Sequence, residues 1–91
     1  MNPEIELSFK RSKQRLAILE YISEYKTVYI SQIARALLLD YSNVKGCLEG
    51  NTRYAKELSL FDLKLIKIIQ NNHKYYAITN YGKEILKEVL Q

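Results

Sequence analysis

The chain has 91 residues, of which 47% are apolar and one is cysteine, with a net charge of +4 and a pI near 9.2. That length allows one compact domain and excludes two, and a lone thiol, Cys47, excludes an intrachain disulfide. The basic balance favours an anionic partner without requiring one. Folding a chain of 10.7 kDa removes roughly 65% of its surface from water, so this apolar content can build a core without a staple. No apolar run approaches the ~20 residues of a membrane span. The opening MNPEIELSFK carries acids where a secretory leader would carry bases, and together with the single free thiol this predicts a soluble, cytoplasmic protein.

In chain order, Glu4 to Phe9 alternates polar and apolar residues, which suits a short strand with Ile5, Leu7 and Phe9 on one side, or a frayed arm over 1–11. A core domain over 12–90 follows. Ser12 is placed to cap a first helix that runs to about Tyr25, with Leu16, Ile18, Leu19 and Ile22 along its apolar stripe. Thr27 to Ile30 is β-branched and aromatic, too short for anything but a strand or extended linker. Ser31 looks like the cap of a second helix whose apolar face holds Ile33, Ala34, Leu37 and Leu38.

Ser42 is expected to cap a third helix with Val44, Cys47 and Leu48 turned inward. Gly50-Asn51 weakens that helix; it either continues or breaks and restarts near Arg53, and we expect a weakened, continuous helix over about 42–56. Leu58, Leu60, Phe61, Leu63 and Leu65 form a second apolar set. Residues 65–78 read as a hairpin, two strands about a polar turn, Asn71-Asn72-His73-Lys74. Thr79 then caps a last helix through Leu90. The predicted class is α+β, a three-helix core with a two- to three-stranded hairpin and a C-terminal helix.

The segment Ile33-Ala-Arg-Ala-Leu-Leu-Leu-Asp-Tyr-Ser-Asn-Val-Lys-Gly-Cys-Leu48 resembles a helix-turn-helix. A steep crossing of two short helices needs a small residue at the approach, supplied by Ala34, and apolar residues that lock the pair. The basic, aromatic hairpin and the following Ile78-Thr79-Asn80-Tyr81-Gly82-Lys83 are similar to the wing and closing helix of winged helix regulators of archaea and bacteria, over about 12–90. Members of that family usually hold Gly in the turn, where φ is positive. Leu38 stands there instead, so the turn is either strained or differently shaped.

The resemblance implies sequence-specific binding of double-stranded DNA and a role in transcription regulation, with the third helix in the major groove and the wing on the flanking groove or backbone. With Val44, Cys47 and Leu48 inward, a 100° step puts Ser42, Lys45, Gly46 and Glu49 outward and Asn43 at the edge. Arg53 joins that face if the helix persists, and is the best guanine reader; Asn43 could pair with adenine. Gly46 would allow close approach, while Glu49 would either accept from cytosine or repel phosphate. Backbone contacts are expected from Ser31 and Gln32 at a helix start, from Arg35, from Lys10, Arg11 and Lys13, and from Tyr41 and Tyr54. Asn71, Asn72, His73 and Lys74 would enter the minor groove at the wing tip.

Each position also has a plainer reading. The run over 10–15 is a solvated helix start, Arg53 pairs with Glu49 or Glu57, and Cys47 is a small buried hydrophobe. Tyr29, Tyr75 and Tyr76 could cluster as a base-stacking platform, but are more simply core and rim. One His with no acidic cluster beside it predicts no metal, and neither cofactor nor enzymatic activity is expected. A homodimer is expected, since one recognition helix covers a half-site, through Ile5, Leu7 and Phe9 with Ile85, Val89 and Leu90. The main alternative is a protein–protein interaction module built on the same fold, with RNA binding behind it.

Overall fold

Asn2-Pro3 starts a helix where alternation predicted a strand or an arm. In the computed structural model, which describes residues 1–91, α1 spans Pro3–Arg11. The Asn2 side chain accepts the Glu4 N–H at 2.7 Å, Pro3 sits in the first turn, and acids precede bases along the helix. Each of these favours a helix start or suits the helix dipole. Burial follows the helical period and falls on Ile5 and Ser8, leaving Leu7 exposed.

The first predicted helix is α2 (Lys13–Ser23), which buries Ile18, Leu19 and Ile22 as their spacing required. Ser12 stands at its N-cap position as expected, but its side chain makes no capping bond; its hydroxyl lies 3.8 Å from the Cys47 thiol instead. Arg15, read from sequence as part of a solvated run, is 2% exposed.

The helical pair follows as α3 (Ile30–Leu37) and α4 (Tyr41–Glu49), packed through Ile33, Val44, Cys47 and Leu48. The expected caps Ser31 and Ser42 lie inside these helices. Tyr29 and Asp40 occupy the cap positions, and Gln32 accepts the Tyr29 N–H at 3.4 Å. Leu38 is not part of an apolar face. It forms the turn itself at φ 55°, ψ 47°, with its side chain 91% exposed. Thus the turn retains a left-handed residue although no glycine is there.

The recognition helix predicted over 42–56 ends at Glu49. Gly50 adopts φ 87°, a conformation that suits glycine, and the chain turns back. The carbonyls of Cys47 and Leu48, left over at the helix end, accept the N–H groups of Leu60 and Phe61 at 3.0 and 2.9 Å. A short 3₁₀ turn over Lys56–Leu58 connects the two.

Strands β1 (Ile66–Gln70) and β2 (Lys74–Ile78) form the antiparallel hairpin, in register from Ile66 opposite Ile78 to Gln70 opposite Lys74. Lys74 therefore belongs to the strand, and the loop is Asn71 to His73. Val28 adds a one-residue bridge, exchanging both backbone hydrogen bonds with Tyr76 at 2.9 and 2.8 Å. The closing helix α5 (Asn80–Val89) is capped by Thr79 as expected; its hydroxyl accepts the Gly82 N–H and donates to the Lys64 carbonyl. One core joins all of these, running from Ile5 through Leu19, Ile33, Leu48 and Tyr76 to Ile85. The protein is therefore α+β, with five helices and a two-stranded sheet. No helix is long and apolar enough to cross a membrane.

Since Leu38 pays a left-handed backbone cost while its side chain touches little, Leu38→Gly should stabilise the protein by about 1 kcal/mol. Urea unfolding measures this, and an unchanged or lower midpoint would mean that the turn stores no such strain.

Candidate nucleic-acid interface

Helix α4 offers solvent a narrower face than the 100° step suggested. Tyr41 is 61% exposed and Ser42 is exposed, while Lys45 is half-buried. Gly46, expected at the outer surface, is buried. After Gly50 the chain folds back along the helix, and a Cβ on Gly46 would stand 2.3 Å from the Tyr54 ring and 2.9 Å from the Asn51 amide. Gly46 therefore makes room for the protein's own loop, not for a duplex. Asn43 is half-buried, and its amide oxygen, half of any two-bond pairing with adenine, is shut off from water without a partner.

Glu49 is neither a free base reader nor a source of bare repulsion. Its carboxylate, 19% exposed, accepts hydrogen bonds from Lys45 at 3.0 Å, from Lys74 of β2, and from the Tyr76 hydroxyl. Burial pushes its pKa up, but the bonds from Lys74, Tyr76 and Lys45 outweigh burial and hold the carboxyl below its usual range. The same bond raises Lys74 above the ordinary lysine value, and burial together with Glu49 pushes the Tyr76 phenol strongly upward. Helix α4 and the hairpin are joined through this one carboxylate.

The hairpin tip lies beside α3 and α4. Ser31, Tyr41, His73 and Lys74, with Tyr29 and Ile30, line a cleft of about 210 Å³. A second cleft of about 360 Å³ runs along α3, between Tyr21, Tyr29, Ser31, Gln32 and Arg35. The structure thus brings together the expected contacts from α3, α4 and the hairpin tip, with Asn71 and Asn72 exposed at the tip. Tyr29 and Tyr75 stack at 4.8 Å with His73 edge-on to both, but Tyr76 points the other way into the core, so no three-tyrosine platform forms.

Arg53 leaves the helix face. It is exposed in the loop after α4 and pairs with neither Glu49 nor Glu57, since the ion pairs of this chain are Met1–Glu88, Lys45–Glu49 and Lys74–Glu49. It lines a pocket with Arg11 and Arg15 at the α1–α2 junction, and Tyr54 forms a wall of the same pocket. Lys10 and Lys13 are exposed near that junction. Cys47 is buried, and burial pushes its thiol up, so it packs as a small hydrophobe.

A family model described as EarA-like matches residues 5–89, which include every element of the core. The chain belongs to the EarA-like family. It is also 40% identical to an uncharacterized protein, MJ0905, of Methanocaldococcus jannaschii, over an alignment covering all of this chain and 85% of that protein.

Two residues of this EarA-like chain escaped sequence reading. Asn51 pins the fold-back loop: its amide donates to the Ser42 carbonyl at 2.8 Å, and its oxygen accepts the Arg53 and Tyr54 N–H groups at 2.9 and 3.0 Å. An Asx turn after Gly was the available signal. Arg15 sits at the helical spacing of the buried stripe, three residues before Ile18 and four before Leu19, but its charge argued against burial.

With the Glu49 carboxyl depressed in the folded state, its stabilising contribution is complete above the unfolded value of about 4.3 and is lost as pH falls through the lower folded value. Glu49→Gln should therefore unfold with a flatter pH dependence than wild type across that acid window. Urea midpoints taken from pH 7 to pH 3 check this; parallel profiles for the two proteins would remove Glu49 from the linkage.

Proposed function

We propose that this EarA-like protein is a cytoplasmic winged helix-turn-helix protein that binds double-stranded DNA sequence-specifically and regulates transcription. Helix α4 would enter the major groove and the β1–β2 hairpin would lie on the flanking groove or backbone. The observation that carries this reading is the carboxylate of Glu49, which ties Lys45 of α4 to Lys74 and Tyr76 of β2. A helix and hairpin locked together can meet a duplex as one rigid surface, whose ordering is complete before binding. Supporting it are the tight α3–α4 turn and the clefts that gather Ser31, Arg35, Tyr41, His73 and Lys74 on that side.

Base reading on this surface falls to Tyr41, Ser42 and Lys45, since Gly46 and Glu49 are occupied internally. Two copies would serve two half-sites. Of the apolar residues expected at that seam, Ile5 and Ile85 are in the core, so a dimer would use Leu7 and Leu90, which are exposed, with Phe9 and Val89. The Met1–Glu88 ion pair keeps the two chain ends together at 3.6 Å.

The alternative, a protein-interaction module, draws on Leu38 and Tyr41, both strongly exposed in and just after the α3–α4 turn. Fluorescence anisotropy with random duplex DNA across a salt series separates the two readings. Duplex affinity should fall steeply with salt, and Arg35→Ala, at the exposed position expected to contact the backbone, should flatten the log–log slope by about one. A folded wild-type protein that fails to bind duplex at low salt would move the function to protein contact.

A further inference from the structure

Arg15 is a guanidinium without a counterion. It is 2% exposed, and no carboxylate approaches it within ion-pairing distance. One nitrogen, Nη1, donates to the Ser8 carbonyl at 3.0 Å, while Nε is buried with no acceptor. The Tyr54 ring lies beneath it, 5.7 Å from centroid to Cζ. A charge so little exposed ordinarily finds a partner, because an ion buried unpaired loses its hydration without compensation. Burial lowers its pKa, the Cys47 thiol and Tyr54 phenol oppose that, and the like charge of Arg11 lowers it further; no carboxylate acts on it.

Around Arg15 is a pocket of about 340 Å³, bounded by Arg11 and Ser12 at the α1–α2 junction and by Arg53, Tyr54 and Ala55 of the loop after α4. Neither Arg11 nor Arg53 has an acidic partner within the protein. Three arginines, from α1, α2 and the loop after α4, therefore line one concavity that contains no carboxylate. The loop bearing Arg53 is held in place by the Asn51 oxygen. Helix α2 begins here with no side chain capping its first turn.

We infer that this pocket binds a phosphoryl group, with Arg15 as the buried anchor and Arg11 and Arg53 closing over it from either side. Planar guanidinium forks match phosphate oxygens in pairs, and a dianion would neutralise what the fold leaves uncompensated. The phosphoryl group belongs either to a small soluble ligand or to a nucleic-acid backbone. The site does not depend on duplex binding by α4, and inorganic phosphate alone tests it.

Thermal unfolding of the whole chain is measured in rising inorganic phosphate, with ionic strength held constant by chloride, for wild type, Arg11→Ala and Arg53→Ala. Both arginines are exposed, so the variants should fold. Phosphate should raise the wild-type Tm with the logarithm of its concentration, by roughly 8 °C at ten times its Kd, and the rise should shrink in each variant. The effect should be absent with chloride alone. A wild-type rise no larger than that in chloride, or an equal rise in both variants, overturns the site. Duplex anisotropy in the same buffers then identifies the source. Phosphate that displaces duplex, with duplex weakened in Arg53→Ala, assigns the pocket to the backbone. Phosphate that saturates the pocket while duplex affinity is unchanged assigns it to a soluble ligand.

Discussion

Tyr76 connects three parts of the molecule. Its backbone exchanges two hydrogen bonds with Val28, its ring is the largest side chain wholly inside the core, and its hydroxyl donates to Glu49. The linker between α2 and α3, the hairpin and the C-terminal end of α4 are thereby held to one point. Strand alternation makes this possible, since Lys74, two residues before Tyr76, lies on the same face of β2 and Tyr75 on the other. Lys74 then reaches the same carboxylate from the strand, and Lys45 reaches it from one turn back along the helix. A partly buried carboxylate with three donors is satisfied, whereas the loss of any donor would leave it undercompensated.

The short length of α4 follows from packing on its other side. Nine residues make a helix of about 14 Å, enough to present about two turns to a partner. Gly50 ends it, and the loop over 51–55 returns across Gly46, where no larger side chain would fit beneath Tyr54. The outward surface is thus divided, one arc covered by the chain's own loop and another by the hairpin, with Tyr41, Ser42 and Lys45 between them.

Five of the 14 basic residues separate into two groups by their partners. Lys45 and Lys74 share Glu49 and contribute as much to internal cohesion as to surface charge. Arg11, Arg15 and Arg53 have no acid at all and face a common pocket. A net charge of +4 hides this division, because a sum records neither pairing nor distance.

Sequence alone determined the α+β class, the buried stripes of α2 and α4, the Thr79 cap and the hairpin, because each depends on residues a few positions apart. It placed a left-handed turn in question at Leu38, and the backbone there is left-handed. It misread α1, where period-two alternation over six residues competed with an Asn-Pro start whose capping bond is itself local. What only the tertiary structure decided is where α4 stops, which way Gly46 faces, and how Glu49 and Arg15 are used. The helix end depends on Leu60 and Phe61 taking its last carbonyls, Gly46 on Tyr54, Glu49 on β2, and Arg15 on Ser8 and the Tyr54 ring. Apart from the nearby contacts of Gly46 and Ser8, these partners come from distant segments. A charged side chain has no periodic signature of its own, so its role is settled by what the completed fold sets beside it.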